Sequence, residues 1–242
     1  MTSIYVVLGS VGLHKLLCWL ELRLKLTTVT RETMHKHTSL KSIFLFVCLF
    51  AVGQIYADNP KTLMVYGDSL SAAYGIEESQ GWVNLLSQKL ADENYPFKII
   101  NASVSGETTT GGLSRLPSML ATYSPDIFIL ELGGNDGLRG LPLTNIRENL
   151  EEMVMLAQQS GAEVILAGIQ IPPNYGPRYT EPFFQHYSDI AQKFDLPLIP
   201  MLIDGIPQQP QLMQDDGIHP VAQAQSLILE NVWPVLQPVL KK

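Results

Sequence analysis

The chain has 242 residues, 46% of them hydrophobic and 16% charged, and a formal net charge of −7. That composition suits one globular, enzyme-sized domain and leaves no long polar or low-complexity stretch. The acidity argues against nucleic acid and anionic lipid surfaces as partners, because both call for clustered Lys and Arg.

Taken in chain order, residues 1–57 read as an N-terminal extension and a cleaved signal peptide. Lys36 and Lys41 precede an apolar run over residues 42–52, and Ala57 stands where a signal peptidase would cut. The run falls short of the ~18 to 20 residues that a membrane-spanning helix needs. A second patchy apolar stretch within residues 1–31 keeps an uncleaved anchor as the competing reading, and Met34 is expected to be the true start. Cys48 follows Val47 where a lipid-attachment motif wants a small residue. Both cysteines, Cys18 and Cys48, lie in this leader, so residues 58–242 offer no thiol, disulfide or cysteine metal site. The leader also holds six of the 16 Lys and Arg and two of the 23 Asp and Glu, which leaves the mature domain at −11.

Within residues 58–242, short apolar runs at 63–65, 97–100, 127–130, 164–166 and 198–199 predict strands buried on both faces of a parallel sheet. Helices are predicted over 82–93, 113–122, 143–159, 181–194 and 222–240, with Pro234 and Pro238 bending or breaking the last. Over 143–159, Ile146, Leu150, Met153, Val154 and Ala157 share one face, and Gly161 supplies the stop. This alternation predicts a single α/β domain in which functional groups gather on loops at the carboxyl ends of the strands.

The first predicted strand ends in Gly67-Asp68-Ser69-Leu70-Ser71, a turn that would expose Ser69 as a nucleophile. A serine there is also a common helix cap, and Ser71 stands where the G-x-S-x-G elbow wants its second glycine. A serine hydroxyl needs a base, and only His186 and His219 remain after the leader. His219 follows Asp216 by three residues in Asp215-Asp216-Gly217-Ile218-His219-Pro220, so a carboxylate can reach one ring nitrogen and leave the other for Ser69. Asp216 is favoured over Asp215, against the alternative that Asp216 and His219 merely cap the last helix. His186 reads as a solvated helix position. Acyl transfer also needs donors for an oxyanion. Gly106, after the second strand, and Asn135, after the third, can supply them together with the Ser69 N–H, although each also suits a turn or a cap. The order of these groups along the chain would bring all of them to one sheet edge.

Gly67-Asp68-Ser69-Leu70, Gly106, Gly133-Gly134-Asn135-Asp136 and Asp216-Gly217-Ile218-His219-Pro220 together resemble the four signature blocks of the SGNH (GDSL) hydrolases. The longer stretches 69–76, 133–140 and 213–220 are similar to the bacterial periplasmic acyl-CoA thioesterases that also act as lysophospholipases and arylesterases. The resemblance implies a monomeric three-layer α/β/α sandwich of the flavodoxin-like kind with about five parallel strands, and no cofactor. It implies a serine esterase acting on acyl thioesters, lysophospholipids and small aryl esters. Ser69, Asp216 and His219 would be its triad, and Ser69, Gly106 and Asn135 its oxyanion hole. A loop over 134–141 would close on the acyl chain through Leu138 and Leu141, with Tyr175 as a further substrate contact, while 138–142 and 171–177 could instead be rigid structural loops. The rivals are a carbohydrate O-deacetylase of the same fold and a non-catalytic periplasmic acyl-binding protein. A nucleotide site lacks its phosphate cradle after the first strand, and zinc lacks ligand spacing.

Overall fold

The computed structural model describes residues 60–241, and the leader expected over 1–57 lies outside them. Five strands, β1 (Lys61–Gly67), β2 (Phe97–Asn101), β3 (Ile127–Glu131), β4 (Glu163–Ala167) and β5 (Leu198–Ile199), form an all-parallel sheet in the order β2-β1-β3-β4-β5. The helices are α1 (Trp82–Asp92), α2 (Thr109–Tyr123), α3 (Gly134–Leu138), α4 (Leu143–Gln159), α5 (Pro177–Phe194) and α6 (Gln225–Leu240).

Side chains alternate across a strand, and β1, β3 and β4 bury both faces as expected, whereas the edge strand β2 buries neither fully and leaves Lys98 exposed. Leu63 and Val65 of β1, Ile127 and Ile129 of β3, and Ile165 and Ala167 of β4 pack on one face with Trp82, Leu86 and Leu90 of α1 and Ile228, Val232 and Leu236 of α6. Met64, Tyr66, Phe128, Leu130, Val164 and Leu166 pack on the other with α2, α4 and α5. The result is the expected three-layer α/β/α sandwich, and the predicted face of α4, from Ile146 to Ala157, is the one it buries. Strand order reverses at β1, which pairs with β2 on one side and β3 on the other. In open α/β sheets such a switch point opens a crevice at the carboxyl ends of the strands.

Three boundaries differ from the sequence expectation. The α2 helix begins at Thr109, four residues before the predicted start at 113, because the Thr108 side chain accepts the Gly111 N–H and caps it. The α5 helix begins at Pro177, where a proline needs no N–H partner. Pro234 and Pro238 do not break α6, which runs unbroken from Gln225 after a 3-10 turn at Ala222–Ala224. Both prolines lie on the exposed face, together with Glu230. The carbonyls of Glu230 and Pro234, which lose their i+4 donors, therefore stay within reach of water. Among the described residues, no helix is long and apolar enough to cross a membrane.

Candidate active site

The chain leaves β1 at Gly67 and turns at once, with the Ala72 N–H returning to the Asp68 carbonyl (2.9 Å) and the Tyr74 N–H to that of Ser69 (3.2 Å). Beneath this turn sits Glu131, the last residue of β3 and fully buried. Its Oε2 accepts the Ser71 hydroxyl (2.7 Å) and the Asp68 N–H (3.2 Å), while Oε1 has no partner among the described residues. A side chain at Gly67 would collide with Oε2, so glycine is what lets the turn lie on this carboxyl. Burial, reinforced by the neighbouring Asp68 charge, pushes the Glu131 carboxyl well above its ordinary range, against the Ser71 and Asp68 donors. Burial likewise raises Asp68, opposed by the Leu70 N–H, His219 and the Asn135 amide.

His219 comes from a surface loop that bridges Met213 to Pro220, with the Gln214 N–H on the His219 carbonyl (2.7 Å) and the Gly217 N–H on that of Gln214 (2.9 Å). Asp216 Oδ1 accepts the Ile218 and His219 N–H groups at 2.9 and 3.0 Å, and Oδ2 lies 2.6 Å from His219 Nδ1. Slight burial would raise this carboxyl, but the His219 ring and those two N–H donors override it and hold it down at about 2. Asp216 is therefore an acceptor at neutral pH, which makes Nδ1 the protonated nitrogen and leaves Nε2 as an acceptor. Nε2 stands 2.8 Å from Ser69 Oγ, so that hydroxyl can donate to it. The carboxylate caps its own loop rather than the last helix.

The donors expected for an oxyanion arrive by three routes. The N–H groups of Ser69 and Gly106 meet no acceptor among the described residues. Asn135 Nδ2 spends one hydrogen on Asp68 Oδ2 (2.9 Å), which orients the amide and leaves its second hydrogen free. Asn135 rides on α3, and Asp136 fixes that short helix by accepting the Thr109 hydroxyl (2.7 Å) and N–H (2.8 Å) at the start of α2. Gly106, at φ +80°, is tethered through its neighbouring backbone and its own carbonyl. The Val104 N–H donates to the Gly67 carbonyl (3.0 Å), and Arg139 to the Gly106 carbonyl (3.3 Å).

A cleft of about 630 Å³ opens over Ser69, Asn135 and His219. Leu70, Leu138, Ile169, Ile171, Pro172, Met201, Ile203 and Ile218 give it an apolar lining. Of the expected substrate contacts, only Leu138 lines it. Leu141 packs against the sheet core, and Tyr175 donates its hydroxyl to the Leu138 carbonyl (2.7 Å) as Tyr179 does to that of Leu141 (2.7 Å). These tyrosines anchor segment 138–141 from outside. Sequence reasoning missed the Asp68–Glu131 floor, for which a carboxylate ending an apolar strand run was the available signal. His186 is half-buried beside Arg147 rather than solvated, and burial lowers its pKa. Among the described residues, no group of three or more His, Cys, Asp or Glu is placed to hold a metal ion.

A serine, a histidine and a carboxylate in hydrogen-bonding series at the switch point of a parallel sheet define the class of a serine hydrolase site. Residues 65–227 match the GDSL-like Lipase/Acylhydrolase family, and the chain belongs to it. It is 47% identical over 201 residues to the Esterase TesA of Pseudomonas aeruginosa, covering 83% of this chain and all of that one. It is 40% identical to the Thioesterase 1/protease 1/lysophospholipase L1 of Escherichia coli, covering 81% of this chain and 92% of the other. Among solved structures, the psychrotrophic esterase EstA from Pseudoalteromonas sp., inhibited by monoethylphosphonate, matches with a TM-score of 0.72 at 40% identity, over 76% of this chain and 100% of that one.

Proposed function

We propose that this protein is a serine esterase that hydrolyses acyl thioesters, lysophospholipids and small aryl esters through an acyl-enzyme on Ser69. The observation that carries the reading is the unbroken series from Ser69 Oγ to His219 Nε2 (2.8 Å) and from His219 Nδ1 to Asp216 Oδ2 (2.6 Å), at the head of an apolar cleft. Ser69 Oγ attacks the acyl carbon while His219 Nε2 takes its proton, and Asp216 stabilises the imidazolium. The oxyanion accepts from the Ser69 and Gly106 N–H groups and from Asn135 Nδ2, each donor being worth roughly 3 to 4 kcal/mol where deletion has measured it. Collapse breaks the bond to the alcohol or thiol, which leaves with the proton from His219. Water, activated by the same ring, then releases the acid and restores Ser69.

The substrate range rests on the likeness to proteins named thioesterase, lysophospholipase and arylesterase and on an acyl-sized apolar cleft. The leader features of residues 1–57 support export to the periplasm with cleavage near Ala57, and the mature enzyme, residues 58–242, acts as a monomer. The test is a panel of palmitoyl-CoA, lysophosphatidylcholine, a p-nitrophenyl ester and acetylated xylan. Turnover of the first three supports the reading. Turnover confined to the xylan makes the protein an O-deacetylase, and none at all makes it an acyl-binding protein.

A further inference from the structure

The His219 ring is bounded on one face by a residue the mechanism above does not use. The Tyr74 ring lies against it with centroids 4.4 Å apart and planes tilted by 40°. Tyr74 belongs to the nucleophile's own turn, since its N–H donates to the Ser69 carbonyl (3.2 Å). A single side chain then ties this turn to the base loop. The Gln214 amide donates to the Tyr74 carbonyl (2.8 Å) and to the Pro220 carbonyl (3.1 Å), and the Gln214 N–H donates to the His219 carbonyl (2.7 Å). Gly75, at φ +76°, makes room for that amide, because a side chain there would strike it.

We propose that Tyr74 is a positioning residue for His219, a wall that fixes the plane of the imidazole between Asp216 and Ser69, with Gln214 as the clamp that fixes the wall. Two physical facts make such a wall useful. The Asp216 side chain is 39% exposed, so water screens the carboxylate, and the hydrogen bonds at Nδ1 and Nε2 leave the ring free to tip about the axis through them. A tyrosine face within about 6 Å of a cation's position also attracts it, so the wall favours the imidazolium that forms as Ser69 loses its proton. The Tyr74 side chain is half-exposed, and its hydroxyl has no hydrogen-bond partner among the described residues. The ring face is the part in use.

The proposal rests on His219 being the base, and a double-mutant cycle in the full chain separates the two claims. For an activated ester, Tyr74→Ala is expected to lower kcat about tenfold, in line with the sensitivity of attack geometry to small displacements, with KM within about twofold. Tyr74→Phe, which keeps the ring, should recover most of that loss. In a His219→Ala background, Tyr74→Ala should cost nothing further, because the group it positions has gone. An equal loss in both backgrounds, an undiminished kcat in Tyr74→Ala, or Tyr74→Phe as impaired as Tyr74→Ala would each overturn the wall. Near-normal kcat in His219→Ala alone would overturn the base instead. Should Tyr74→Ala fail to fold, Gln214→Leu, which removes the clamp and leaves the ring, provides the same cycle with an expected severalfold loss.

Discussion

Asp68 and Glu131 are 2% and 0% exposed, whereas the side chain of Asp216, a carboxylate of the same site, is 39% exposed. The two buried acids form a floor anchored in β1 and β3, and the rigid sheet fixes the turn that carries Ser69. The floor is costly, since burial raises both carboxyl pKa values and Glu131 Oε1 has no partner among the described residues. Asp216 sits instead on a loop held by its own turn hydrogen bonds, with its pKa lowered to about 2. Nucleophile and donors thus take their places from buried contacts between strands, whereas the base takes its place at the surface, from the turn of its own loop and from the Gln214 and Tyr74 contacts that tie that loop to the nucleophile's turn. Function and stability should therefore respond differently to changes in the two regions.

The largest effect is expected where the two regions meet. Ser69→Ala should lower kcat by at least ~10⁴-fold with an unchanged melting temperature, checked by steady-state kinetics and calorimetry. On the exposed side, Asp216→Ala should lower kcat by roughly 10²- to 10³-fold. That is less than the ~10⁴ associated with a buried carboxylate, because the Asp216 side chain is 39% exposed and its charge is screened. A loss as large as that for Ser69→Ala would erase the contrast. On the floor side, Asn135→Ala should cost about 10²-fold in kcat by removing one oxyanion donor, and an effect confined to KM would remove Asn135 from that role.

The smallest effect concerns stability and has a definite sign. The folded-state pKa of Glu131 lies above its ordinary value of 4.5, so between those two values the folded protein binds more protons than the unfolded chain. Stability then falls as pH rises through that window. Glu131→Gln removes the ionisable group while keeping an oxygen for Ser71 and Asp68. Thermal melts should show the variant gaining on the parent as pH goes from 4 to 8. A constant difference across that range would show that Glu131 ionises freely in the fold.

Much of this was legible in the sequence because the groups concerned obey short-range rules. Apolar runs marked all five strands, a four-and-three spacing marked the buried face of α4, and three residues of separation left Asp216 within reach of a ring nitrogen of His219. What stayed hidden depends on partners distant in the chain. Glu131 meets Ser71 across 60 positions, and Gln214 meets Tyr74 across 140. Tyr175 was expected as a substrate contact in the proline-rich segment 171–177. Only the fold shows its hydroxyl spent on the Leu138 carbonyl. The prolines of α6 misled because their cost depends on which face they occupy, and both occupy the wet one.

The most direct test of the central claim is to treat the purified protein with a fluorophosphonate probe, digest it and locate the adduct by mass spectrometry while following ester hydrolysis on the same sample. One adduct is expected, on Ser69, with activity lost in proportion to labelling, and none in His219→Ala over the same time. An adduct on another residue, or full activity in a sample fully labelled at Ser69, would contradict it.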